Sequence, residues 1–94
     1  MKIVGRECLE NFLTKNSLDR READSWLNEA LAAQWNSGQE ITQNYLSASY
    51  IPSNTVIFKF NRSNCQIETK VSFNNKIVLI ENVQSIGENV QKIY

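Results

Sequence analysis

The chain has 94 residues, with ten basic side chains balancing ten acidic ones and no histidine. Its length sets one hydrophobic core in a single domain spanning residues 1–94. The missing imidazole excludes Ser-His-Asp and Cys-His nucleophile pairs and H-E-x-x-H metal sites, and zero net charge speaks against a dedicated nucleic-acid surface.

Residues 1–4 are a short, mostly apolar opening that Gly5 ends, a candidate strand. From residue 6 to 15, Cys8, Leu9, Phe12 and Leu13 fall at i, i+1, i+4 and i+5. That spacing predicts a short helix needing tertiary packing to persist, and Asn16 and Ser17 end it. Asp19 and Glu22 have capping-box spacing, with Leu18 and Ala23 placed as a weak hydrophobic staple, so a long helix starts near Asp19. Trp26, Ala30 and Ala33 share one face of it, and Leu27, Leu31 and Trp35 follow beside them at fourfold spacing. This broad apolar stripe must be covered by another layer. Asn36-Ser37-Gly38 reads as the helix stop, with Gly38 in the left-handed conformation.

Between residues 39 and 53, Ile41 and Tyr45 keep helical spacing, while Ser47, Ala48, Ser49 and Pro52 speak for irregular chain. One helical turn followed by a loop is expected. Residues 55–60 place Val56, Phe58 and Phe60 on one face of a strand. Cys65, Ile67, Thr69, Val71 and Phe73 alternate with Gln66, Glu68, Lys70 and Ser72, a strand with one core face and one wet face. Asn74-Asn75 is read as a tight turn into residues 76–83, whose Ile77-Val78-Leu79-Ile80 run suits burial on both faces. Past Gln84, only Ile86, Val90 and Ile93 could anchor a loosely docked tail.

These elements add up to an α+β fold, an N-terminal strand and two helices packed on an antiparallel-rich sheet. Both tryptophans are expected in its core. Cys8 and Cys65, far apart and outside any C-x-x-C arrangement, are expected as separate reduced thiols. No metal or cofactor is expected. No apolar run nears the roughly 20 residues that span a bilayer and no signal-peptide pattern opens the chain, so a cytoplasmic protein without membrane contact is expected.

Trp26, then Trp35 before a short linker, then Ile41, Tyr45 and Ser47-Ala48-Ser49 resemble the double-tryptophan and Y-x-S-A-S pattern of HigB-family toxins, within the wider RelE-like group. Asn54-Thr55-Val56-Ile57-Phe58 resembles that family's N-x-R-V-V-F segment, and residues 76–80 resemble the strand that follows. The resemblance covers nearly the whole chain. It implies a RelE-like sheet and a cognate antitoxin as partner. It also implies metal-free cleavage of messenger RNA, commonly on the ribosome, in which a ribose 2′-hydroxyl attacks the adjacent phosphate while basic side chains stabilise the developing charge.

The cationic positions of that motif are substituted here. The family arginine of G-N-x-x-R-L falls on Gln66, the arginine after the last apolar strand on Glu81, and the arginine of N-x-R-V-V-F on Thr55. The T-H-x-x-Y tail falls on Ser85, Ile86 and Asn89, keeping a hydroxyl but neither imidazole nor phenol. A carboxylate about 5 Å from a phosphate in a low-dielectric cleft would repel it by several kcal/mol. No catalytic residue can be assigned by this route. Lys59, Arg62, Lys70 and Lys76 remain as candidate RNA contacts, against the alternative that they are solubilising surface charges. Two functions are therefore carried forward: a HigB-like toxin acting on messenger RNA or the ribosome, and a non-catalytic module that keeps the toxin fold and an antitoxin- or protein-binding surface.

Overall fold

The computed structural model describes residues 1–16, 20–45, 47–60 and 64–85. Its elements run β1 (Lys2–Val4), α1 (Arg6–Asn16), α2 (Arg20–Ala32), α3 (Gly38–Asn44), β2 (Ala48–Ile51), β3 (Thr55–Phe60), β4 (Cys65–Ser72) and β5 (Ile77–Ser85). The strands form one sheet in the order β1-β5-β4-β3-β2. β2 through β5 pair antiparallel, and β1 adds in parallel beside β5, with Val4 opposite Leu79. The chain thus adopts the expected α+β fold with a RelE-like, antiparallel-rich sheet. The Asp19 capping box with Leu18, the segment 61–63 and the tail 86–94 lie outside the described residues.

Period-two alternation decides which side of the sheet is covered. Val56, Phe58 and Phe60 on β3, Cys65, Ile67, Thr69 and Val71 on β4, and Val78, Ile80 and Val83 on β5 are all buried. Over them lie Leu9 and Leu13 of α1, Ala23, Trp26, Leu27 and Ala30 of α2, and Ile41 of α3. Thr69 is the polar member of this layer, and its hydroxyl donates to the Val56 carbonyl at 2.7 Å. Phe58 sits at the centre of the aromatic packing. Trp26 meets it edge-on at 5.2 Å between ring centroids, Tyr45 edge-on at 5.6 Å, and Trp35 lies stacked against it at 6.0 Å. Both tryptophans are core residues, 2% and 4% exposed. An exposed ion pair from Arg20 to Glu10, at 2.9 Å, joins the start of α2 to α1.

The long helix ends earlier than its apolar stripe suggests. The Met1 amino group donates to the carbonyls of Leu31 and Ala33 at 3.1 and 2.8 Å, supplying a cation and donors at the negative end of α2. Trp35 therefore reaches the core from irregular chain, and Leu31 is exposed. Ser37 and Gly38 begin an element instead of ending one. Ser37 is the N-cap of α3, its hydroxyl accepting from the Glu40 N–H at 3.2 Å, while the Glu40 carboxylate accepts from the Asn36 N–H at 2.9 Å. Gly38 is buried without a left-handed backbone, and it is glycine because a Cβ there would lie 2.2 Å from the Tyr50 ring. Among the described residues the left-handed glycine is Gly5, φ 88°, where a Cβ would lie 2.6 Å from the Ile80 carbonyl oxygen.

Three further expectations are corrected. The expected loop after residue 44 holds a strand, β2, whose Ala48 and Tyr50 pair with Phe58 and Val56. The Asn74-Asn75 turn takes four residues, 73–76, with the left-handed conformation at Lys76. Finally, β5 is covered on one side only. Its inner residues Val78 and Ile80 are buried, but Leu79, with Val4 beside it, faces outward and is exposed, because all three helices cover the same side of the sheet.

Candidate functional site

Register places Lys59, Gln66 and Gln84 in one row across the uncovered face, Ile57, Glu68 and Asn82 in the next, and Thr55, Lys70 and Leu79 in a third. Lys59 and Lys70 thus share this face. They stand about 14 Å apart by strand spacing, and the row containing Glu68 runs between them. Lys70 donates to the Ser53 carbonyl at 3.4 Å. Lys76 is not brought to the same place. From the β4–β5 turn, its ammonium donates to the Trp35 carbonyl at 2.9 Å and to Asn36 Oδ1 at 2.7 Å, tying the turn to the segment before α3. Arg62 lies outside the described residues.

The positions matched to the family motif gather at the end of β5 and the start of β4. Gln66 pairs with Gln84, and Ser85 pairs with Cys65. Glu81 is the extra residue of a bulge: Glu68 faces Asn82 and Thr69 faces Ile80, so Glu81 has no register partner. Glu81 and Asn82 are exposed in succession. Alternation from Val78 and Ile80 already puts Glu81 on the uncovered face; the bulge keeps Asn82 there too, opposite Glu68, and returns Val83 to the covered side. Ile86 and Asn89 lie outside the described residues.

A second feature lies on the helix side. A cleft of about 190 Å³ is lined by Glu22, Ser25, Trp26 and Glu29 of α2, by Tyr45 and Ser47, and by β3 at Phe58, Lys59 and Phe60. Lys59 contributes backbone here, since its N–H donates to the Ser47 carbonyl and its carbonyl accepts from the Ser47 hydroxyl. The Tyr45 hydroxyl donates to Glu29 Oε1 at 2.8 Å. Burial, reinforced by that carboxylate, pushes the phenol well above its usual range. Trp26 Nε1–H is buried and has no acceptor among the described residues. Beneath, burial and then the Glu22 carboxylate push the Cys65 thiol up to about 11, leaving it protonated and unreactive near neutrality. The arrangement offers acceptors, an indole donor and aromatic surface, which is binding chemistry and not nucleophilic chemistry. Sequence reading missed this cleft, although Glu22, Ser25, Trp26 and Glu29 recur at i, i+3, i+4 and i+7, one helical face.

The sequence model of one protein family, described as HigB toxin, RelE-like toxic component of a toxin-antitoxin system, matches residues 19–88, more than half of the chain. No curated protein matches the chain.

Proposed function

Because the chain belongs to the HigB toxin family, RelE-like toxic components of toxin–antitoxin systems, we propose that it is the cytoplasmic partner of a cognate antitoxin and engages its target by binding, with little or no cleavage of messenger RNA. The observation that carries this reading is the exposed Glu81. It stands on the uncovered face, in the strand beside the one that holds Glu68, at a position where the family resemblance calls for arginine.

Cleavage through a ribose 2′-hydroxyl requires preorganised donors and cations around the phosphate as charge develops. Gln66 supplies an amide, but the cations of the described part of this face, Lys2, Lys59 and Lys70, are spread over β1, β3 and β4, with the row of Glu68 between Lys59 and Lys70. Loss of one stabilising donor costs about 10²–10³ in rate in a well-studied hydrolase, and the losses of several are not additive.

The test is induced expression with and without the neighbouring antitoxin gene, scored for growth, co-purification and transcript ends. Co-purification with intact transcripts is the expected result. Cut transcripts that become intact again in Lys59→Ala or Lys70→Ala variants would replace this reading with cleavage at a relocated lysine site.

A further inference from the structure

The two ionisable side chains of α2 that line the helix-side cleft, Glu22 and Glu29, are both acidic. They stand seven residues apart on one helical face, roughly 10 Å along the axis. Lys59, the basic residue of the lining, alternates with the buried Phe58 and Phe60 and pairs with Gln66, so its side chain belongs to the opposite face of the sheet. The cleft therefore has the Glu29 carboxylate at its rim and is aromatic inside, over Trp26, Phe58 and Phe60. At about 190 Å³ it is smaller than the roughly 300–1,000 Å³ of small-molecule sites and suits one long side chain.

We propose that this cleft receives an arginine side chain from a bound protein partner. The guanidinium lies against the aromatic rings and is held by the Glu29 carboxylate, while a peptide carbonyl of the same segment accepts the Trp26 indole N–H. Glu29 is exposed and gives one oxygen to Tyr45. A carboxylate has about four lone-pair sites, so acceptor capacity remains for a guanidinium. Tyr45 fixes the orientation of that carboxylate before the ligand arrives, which lowers the ordering cost of binding.

Arginine fits better than lysine because its planar, weakly hydrated head stacks on rings and matches a carboxylate edge, whereas an ammonium is a strongly hydrated point charge. The buried indole donor adds an argument independent of charge. A donor without an acceptor among the described residues gains a partner on binding, and a peptide segment carries its acceptor in the backbone. Family membership enters only in making the occupant a protein, and the following test contains no RNA, so it fails or succeeds separately from the absence of cleavage.

The experiment is a titration of the full chain, with 15N-labelled tryptophan, by three peptides: acetyl-Ala-Arg-Ala-amide, its lysine counterpart and its citrulline counterpart, a neutral near-isostere of arginine. The two indole N–H resonances are assigned with Trp35→Phe. The arginine peptide is expected to shift the Trp26 resonance saturably, to bind at least threefold more tightly than the lysine peptide, and to lose at least fivefold in affinity in Glu29→Gln, a change at an exposed position that leaves an acceptor for Tyr45. Glu81→Gln, on the other face, should bind as the parent does. Absence of a saturable shift, equal binding of the citrulline or lysine peptide, or unchanged affinity in Glu29→Gln would overturn the proposal.

Discussion

The Tyr45 hydroxyl donates a 2.8 Å hydrogen bond to Glu29 Oε1, joining the end of α3 to the exposed face of α2 across the aromatic cluster around Phe58. A phenol held this way keeps its proton beyond the ordinary tyrosine value of about 10. An acid whose folded pKa is raised contributes stability that is complete below its unfolded pKa and is lost as pH rises through the folded value. The Tyr45 ring resonances should therefore stay in their neutral positions as pH passes 10, and Glu29→Gln should lower the transition. Ionisation at about 10 in the parent chain would contradict this. Tyr45→Phe, which removes the bond, should cost about 0.5–1.5 kcal/mol in denaturant unfolding.

Cys65 gives a second pH dependence and a chemical one. Its thiol is raised from 9.0 to about 11, so the unfolded chain loses this proton first. Stability should fall between pH 9 and 11 by of the order of 2 to 3 kcal/mol from this group, and Cys65→Ala should flatten that part of the curve. In the native protein at pH 8, iodoacetamide should modify the half-buried Cys8 well before Cys65. Equal labelling of the two would show that β4 is more open than described.

Truncating either indole should expose how the core is shared. Trp26→Ala and Trp35→Ala are each expected to cost about 3–5 kcal/mol, the range for large aromatic truncations. Because both rings contact Phe58, the double variant should depart from additivity. A loss below about 1 kcal/mol for either would remove that tryptophan from the core.

The two packed glycines differ in what an added methyl meets. At Gly38 the obstacle is the half-exposed Tyr50 ring on an edge strand, which can swing aside. At Gly5 it is the backbone carbonyl of Ile80 in an interior strand, and φ is 88°. Gly5→Ala should cost more than Gly38→Ala, by about 1 kcal/mol or more. The Gly38→Ala cost should shrink in a Tyr50→Ala background, while the Gly5→Ala cost should not. The reverse order in thermal unfolding would contradict the packing.

Much of the fold was legible because its strands write their burial into alternation. Val56, Phe58 and Phe60, and Cys65 through Val71, announce both period and inner face. The segment 36–51 was harder for a definite reason. Ser37-Gly38 looks like a helix stop, yet Ser37 with Glu40 three residues later is also a start signal, and the Met1 amino group that ends α2 is distant in sequence. β2 is four residues long, with strand formers only at Tyr50 and Ile51, and forms through pairing with β3, a tertiary effect that local pattern cannot show. The helix-side cleft was half visible, in the face from Glu22 to Glu29, but its walls come from Tyr45 and β3. The bulge at Glu81, which keeps Asn82 outward and turns Val83 inward, is located only once the register with β4 is known.

The measurement that tests the account most directly is cleavage of a defined messenger RNA by the purified chain in a reconstituted translation reaction, mapped at nucleotide resolution. The unmodified protein is expected to leave the transcript intact, and the Gln66→Arg, Glu81→Arg double variant is expected to bind RNA more tightly, with a steeper salt dependence. Ribosome-dependent cutting by the unmodified protein, lost in Lys59→Ala, would contradict the account and place catalysis on the lysines of the open sheet face.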